Sequence, residues 1–134
     1  MEKVSLVKEL HFNTPDQPGI LEKVTSVIAS KNINLTAIAA YTFQGGARFM
    51  LVAANTTAAR MALEEAGFKV EEKVAVSVGA ENKTGTAQQI ALKLKQANLN
   101  LSYIYGTTCG CSTCNSVLIF SSNDNKKAVE VLGK

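Results

Sequence analysis

Hydrophobic and polar residues alternate near the start of the chain with the two-residue period of a strand buried on one face. Lys8 is the exception to this alternation. His11 falls on the polar side and is therefore expected at the surface, not as a general base. The side chains expected to face the core are Val4, Leu6, Leu10 and Phe12. Those expected to face away from it are Ser5, Glu9, His11 and Asn13.

After this strand the period changes to that of a helix and then returns to that of strands. Apolar residues recur at helical spacing from Ile20, and Asn32 can adopt the left-handed conformation that ends a helix. Gln44-Gly45-Gly46 suits a tight hairpin turn, and Thr56 or Thr57 can cap a second helix. The predicted elements after the first strand are a helix over Ile20–Lys31, strands over Ile33–Thr42 and Ala47–Ala54, and a helix over Ala58–Ala66 that Gly67 closes.

The same order of elements returns when the chain is shifted by 66 residues, with no gap. The matched pairs are Gly19 with Gly85, Asn32 with Asn98, Asn34 with Asn100, Leu35 with Leu101, Ile38 with Ile104, Val52 with Leu118 and Gly67 with Gly133. The second half is expected to form a strand near Lys73–Gly79, a helix near Thr86–Ala97, strands near Leu99–Thr107 and Asn115–Ser121, and a helix near Asn125–Leu132.

The repeat predicts two units, residues 1–67 and residues 68–134. The first unit can take its last strand from residues 68–73, whereas the second has no residues left for a last strand of its own. Because residues 68–79 form one extended run, we expect this run to be both the last strand of the first unit and the first strand of the second. We expect the N-terminal strand to supply the last strand of the second unit. Such an exchange would join two halves that are each small for an independent core.

Composition narrows the classes of function. The 134 residues carry a formal net charge of +3, with no basic run and only two arginines, Arg48 and Arg60, so nucleic-acid binding gets no support. The N-terminus is charged where a secretory signal would be apolar, and no segment reaches membrane-spanning length. We expect a cytoplasmic protein without a membrane segment.

The turn between the first strand and the first helix, Asn13–Ile20, is the best candidate site and is called the first turn below. It places polar side chains and free backbone N–H groups at a helix N-terminus, where a carboxylate is held favourably. Gly19 leaves room for a ligand to approach the backbone. The structural alternative is that Asp16 only caps the helix while Pro18 and Gly19 shape the turn.

The stretch Asp16-Gln17-Pro18-Gly19-Ile20-Leu21, followed after the helix by Ile33-Asn34-Leu35, resembles the ACT domain, whose pattern is a D-x-P-G-x-L turn, a helix and an I-N-I-like strand. The resemblance spans nearly all of the first half and extends to tandem ACT proteins without an attached enzyme. It implies an α+β fold of tandem ferredoxin-like (βαββαβ) units, with antiparallel sheets and helices on one face. It also implies homodimers and an amino acid bound between two units by this turn and a neighbouring strand.

The second half departs from the pattern at its equivalent turn, Glu81–Thr86, called the second turn below. Asn82 and Thr84 replace the aspartate and the proline, and Lys83 adds a cation that can pair with a ligand carboxylate. The second half therefore either binds a different ligand or has lost binding. The expected ligand contacts are Asn13, Asp16, Gln17, Gly19, Ile20, Asn34 and Leu35 in the first half, and Asn82, Gly85, Thr86, Asn100 and Leu101 in the second.

Three cysteines, Cys109, Cys111 and Cys114, lie within six residues at the predicted hairpin of the second half. Three thiolates on a turn can hold Zn²⁺ or Cu(I), although a structural zinc site normally has a fourth ligand. The other interpretations are a reversible disulfide, Cys109–Cys114 or Cys111–Cys114, and a turn without function. No cofactor is predicted to be required.

The sequence shows no pattern of a catalytic site, neither a serine–histidine pattern nor a phosphate-binding loop. We therefore expect a non-catalytic regulatory protein whose amino-acid ligand changes its contact with an enzyme or a transporter. The alternative is a metal-binding or redox-responsive protein that acts through the cysteine turn. A third interpretation is an oligomerising scaffold without a ligand, since exposed sheet edges alone can pair.

Overall fold

The computed structural model describes residues 3–107 and 115–133. Within them the chain forms six strands and four helices, each bounded within two residues of its expected position. In chain order they are β1 (Lys3–Pro15), α1 (Ile20–Ala29), β2 (Leu35–Phe43), β3 (Gly46–Ala53), α2 (Thr56–Glu65), β4 (Glu71–Glu81), α3 (Thr86–Gln96), β5 (Leu101–Thr107), β6 (Asn115–Ser122) and α4 (Asn125–Leu132). No helix in this part of the chain is both long and apolar enough to cross a membrane.

The chain divides into two compact units. The first unit is Lys8–Lys73, and the second unit is Met1–Val7 together with Val74–Lys134. Strand β1 therefore gives its first residues to the second unit and the remainder to the first. Strand β4 divides in the opposite sense, with its residues up to Lys73 in the first unit and those from Val74 in the second.

The first unit is an antiparallel sheet with two helices on one face. Its strands lie in the order β2-β3-β1. Leu10 and Phe12 lie on the face that the helices cover, and Phe12 stacks on Phe49 with ring centroids 5.2 Å apart. The core combines both helices with this face, through Leu10, Phe12, Val24, Ile28, Phe49, Leu51, Ala59 and Leu63.

The second unit repeats this arrangement with strands in the order β4-β6-β5. Helices α3 and α4 both contribute buried residues to the core on one face of this sheet. Val4 from β1 packs against the same core. The buried residues are Val76, Val78, Ala80, Ile90, Leu94, Phe120, Ala128 and Leu132.

The ends of the helices follow two patterns. Gly19 and Gly85 begin α1 and α3 in the left-handed conformation, with φ of 89° and 88°, and within the described residues neither helix start has a side-chain cap. The structural alternative, in which Asp16 caps α1, is therefore wrong. Helix α2 is capped by Asn55, whose side chain accepts from the Ala58 N–H at 3.1 Å, so the prediction of a threonine cap is also wrong.

The ungapped alignment of the two halves is wrong beyond the second hairpin. Leu10 lies opposite Leu51, whereas Val76, 66 residues after Leu10, lies opposite Phe120, 69 residues after Leu51. The helix caps show the same offset of 69, from Asn55 to Asp124. Counted between matching residues of the two sheets, the hairpin from β5 to β6 is thus three residues longer than the hairpin from β2 to β3, so the matches of Val52 with Leu118 and of Gly67 with Gly133 do not hold.

Candidate functional site

The second turn is held in shape by hydrogen bonds among its own residues. The buried hydroxyl of Thr86 donates to the Glu81 carbonyl at 2.8 Å, and the Thr86 N–H donates to the Lys83 carbonyl at 3.3 Å. Gly85 then opens α3 without a side-chain cap in the part of the chain that the structure describes. Because the Thr86 N–H is used within the turn, the next N–H groups of α3, those of Ala87 and Gln88, are the ones left for water or for an anionic group of a ligand.

A pocket of about 240 Å³ opens beside this turn. The turn and the start of α3 form one side of it, and strands β5 and β6 form the other. The lining combines two charged residues, one amide, three hydroxyl residues and two apolar residues: Glu81, Lys83, Asn82, Thr86, Thr107, Ser116, Ala87 and Leu118. Because six of these eight residues are polar or charged, the lining suits a small polar ligand.

The two charges at the pocket have opposite signs. Lys83 Nζ lies 3.1 Å from Glu81 Oε2, and the two side chains are 62% and 58% exposed. An ion pair this exposed contributes at most about 1 kcal/mol, so a charged ligand can replace it at little cost. The arrangement suits a ligand that carries both a carboxylate and an ammonium group.

The expected ligand contacts of the second half lie at two separate places within this unit. Asn82 and Thr86 line the pocket, and Gly85 lies in the turn beside them. Leu101 lies opposite Ser122 at the far end of the sheet, and the Asn100 carbonyl accepts from the Asn123 N–H. Within this unit the second turn is thus remote from Asn100 and Leu101.

The strand side of the pocket, formed by Thr107, Ser116 and Leu118, was not predicted from the sequence. The missed signal is Gly106, where a Cβ atom would collide with Leu118 Cδ2 and would lie 2.7 Å from the Val117 carbonyl oxygen. Only glycine permits this close approach of β5 to β6. The register of the longer hairpin, which sets these neighbours, cannot be read from the repeat.

The first turn lies at the hairpin end of the first unit, since Pro15 is opposite Gly46. Asp16, Gln17 and Gly19 are exposed and Ile20 is half-buried. Asn34 and Leu35 lie at the opposite end of the sheet, where the Ala54 N–H donates to the Asn34 carbonyl. As in the second unit, one unit alone does not bring the two predicted groups together.

A buried polar cluster in the first unit corrects the expectation for His11, which is only 3% exposed. Its Nε2 lies 3.0 Å from Oε1 of the fully buried Glu9, and its Nδ1 accepts from Arg48 Nη2 at 3.2 Å. Arg48 Nη1 also donates to Asn13 Oδ1 at 3.1 Å. The prediction failed because alternation shows which residues share a face, but not that polar groups on that face can be buried by bonding to one another.

The predicted metal or disulfide residues, Cys109, Cys111 and Cys114, lie outside the described residues. Among residues 3–107 and 115–133, no three histidine, cysteine, aspartate or glutamate side chains are grouped to hold a metal ion. The cysteine turn therefore stays a prediction from the sequence.

Part of the first half matches a known domain family, in agreement with the fold. Residues 10–65 match the ACT domain family. This ACT-matching segment contains the first turn, α1, β2, β3 and α2. No curated protein sequence matches the chain significantly.

Solved structures resemble the whole chain. A protein from Bacteroides thetaiotaomicron has a TM-score of 0.87 at 22% identity, covering 97% of this chain and 88% of that one. The ligand-free regulatory subunit of aspartate kinase from Thermus thermophilus has a TM-score of 0.67 at 18% identity, covering 97% and 94%. The regulatory subunit from Thermus flavus gives 0.65 at 17%, with the same coverage. At these identities the similarity shows a shared fold, the ferredoxin-like ACT fold.

Proposed function

We propose that this chain is a non-catalytic regulatory protein that binds an amino acid through the turns that open α1 and α3. The observation that carries the proposal is the pocket at the second turn, because it joins helix N–H groups, a cation, a carboxylate and hydroxyl groups around about 240 Å³. Pockets for drug-sized ligands measure about 300–1,000 Å³, so this one suits a smaller metabolite. The regulatory subunits of aspartate kinase with the same fold support a regulatory role.

In this proposal the ligand carboxylate binds the open N–H groups of α3 and Lys83, and the ammonium group binds Glu81. Thr107 and Ser116 present hydroxyl groups to the ligand, and Leu118 contacts its apolar part. The second half has therefore kept binding with different residues. The exposed first turn, with Asp16 and Gln17, is proposed as the equivalent position of the first unit.

We also propose that the chain is a tandem repeat whose halves exchange strands, and that it forms a homodimer in the cytoplasm. The exchange is supported by Val4, which packs in the core of the second unit, and by Val70, which is buried in the core of the first. Edge strands support dimerisation, because Ile38 on β2 and Ile104 on β5 are 41% and 50% exposed. An enzyme or a transporter would read the ligand-dependent state.

The proposal is tested by a thermal-denaturation screen against the twenty amino acids, with metal content measured on the same sample. A ligand at a hundred times its Kd adds about 2.7 kcal/mol of stability. We expect one amino acid to stabilise the protein, and we expect Ala87→Leu, which fills the pocket, to remove the effect. Ala91→Leu is the matched control, because Ala91 lies one turn further along α3 and does not line the pocket. Equal stabilisation of wild type and Ala87→Leu would place the ligand elsewhere.

A further inference from the structure

Arg48 differs from Arg60 in its electrostatic partners. Arg60 lies 3.5 Å from Glu64 and 3.6 Å from Glu72. Arg48 forms no ion pair with the described residues, and its hydrogen bonds go to the Asn13 amide oxygen and to His11 Nδ1. Arg48 therefore keeps a positive charge that no anion contacts within the described structure.

The guanidinium of Arg48 is also held in place. Because arginine has only donors, the His11 nitrogen that faces it must accept, which leaves Nε2 to donate to Glu9. Glu9 is fully buried, so this chain of hydrogen bonds anchors the imidazole from behind. Two fixed acceptors orient the guanidinium and leave its remaining N–H groups for another partner.

Two exposed aromatic rings lie beside Arg48. Tyr41 is directly opposite Arg48 on β2, and Arg48 is directly opposite Asn13 on β1, so the three side chains share the face of the sheet that the helices do not cover. Phe43 follows two residues after Tyr41 on the same face. The two rings pack edge to face with centroids 6.3 Å apart, and Tyr41 and Phe43 are 49% and 47% exposed.

We propose that Arg48, Tyr41 and Phe43 form a binding site for a carboxylate attached to an aromatic ring. The planar guanidinium matches a carboxylate in a two-point hydrogen bond, and the Asn13 amide can add a donor. The exposed rings offer an edge-to-face partner to the ring of the ligand. This site lies within the first unit and does not depend on ligand binding at the second turn.

The test is a titration of the full-length protein with benzoate, followed by NMR of the Arg48 side chain and the backbone amides of residues 41–43. We expect saturable shifts in the wild type and binding weaker by at least about tenfold in Arg48→Gln, because charge-assisted hydrogen bonds are lost. Arg60→Gln is the matched control and should bind benzoate like the wild type. Acetate, which lacks the ring, and benzyl alcohol, which lacks the charge, should each bind more weakly than benzoate.

Arg48→Gln also removes a donor to His11, so its folding is checked by circular dichroism. Tyr41→Ala leaves the Arg48 hydrogen bonds in place and should weaken benzoate more than acetate. The proposal is overturned if benzoate gives no saturable shifts, or if Tyr41→Ala and wild type bind it equally. Acetate or inorganic phosphate binding as tightly as benzoate would also overturn it, since Arg48 would then act as a general anion site.

Discussion

Replacing His11 by leucine takes a hydrogen-bond donor from a carboxylate that has no access to water. Glu9 is fully buried, the His11 side chain is 4% exposed, and their N–O distance is 3.0 Å. A hydrogen bond to a charged group contributes about 1.5–3 kcal/mol, and breaking a buried pair from one side costs about 3–5 kcal/mol. Glu9 keeps a further interaction, so we expect His11→Leu to lower the free energy of unfolding by about 3 kcal/mol.

Urea denaturation followed by circular dichroism measures this cost and that of Glu9→Leu. The double variant should cost less than the sum of the single variants, because it leaves neither a buried charge nor a buried donor of this pair. Glu65→Leu is the control, since it removes an exposed pair with Lys31 at 3.7 Å and should cost less than about 1 kcal/mol. A His11→Leu cost no larger than the control, or strict additivity in the double variant, would refute the coupling of Glu9 and His11.

Two further substitutions test packing and capping. Gly106→Ala should destabilise the protein by about 1–3 kcal/mol, because the new Cβ would lie 2.7 Å from a backbone oxygen of β6. Gly79→Ala is the control and should be nearly neutral, because the nearest atom to its Cβ would be 3.7 Å away. Equal midpoints of thermal denaturation for the two variants would contradict the close approach at Gly106. Asn55→Ala should lower the free energy of unfolding, measured by urea denaturation, by about 1 kcal/mol, because the cap of α2 is lost. Thr57→Ala should lower it only slightly. A larger loss for Thr57→Ala than for Asn55→Ala would show that threonine caps the helix.

Much of the fold follows from local rules that act within a few residues. The hairpin turn at Gln44 and Gly45 has the expected positive φ angles of 49° and 81°. Asn32, three residues after the last residue of α1, has the expected left-handed conformation with a φ of 58°. The helical periods place Val24 and Ile28 in the core, as their spacing requires. Such features are predictable because the steric limits of the backbone and the period of burial are properties of the local sequence.

Apart from the helix caps, the errors concern burial and register, which depend on contacts between strands. His11 is buried because its nitrogens bond to Glu9 on the same strand and to Arg48 on β3, and neither bond leaves a trace in the alternation of β1. The offset of three residues between the halves arises in the hairpin between β5 and β6. Apolar residues follow this hairpin in both possible alignments, so the sequence does not reveal the offset. For the same reason the pocket residues on β5 and β6, Thr107 and Ser116, could not be assigned, since they depend on the register of that hairpin.

Ligand binding at the second turn is tested most directly by titrating amino acids into ¹⁵N-labelled protein and mapping the backbone amide shifts. We predict that one amino acid causes saturable shifts at the start of α3, at Thr86 and Ala87, and across the pocket at Ser116 and Leu118. The same amino acid should cause no such shifts in the Ala87→Leu variant. No saturable shift with any amino acid, or shifts confined to other parts of the chain, would contradict a ligand site at this turn.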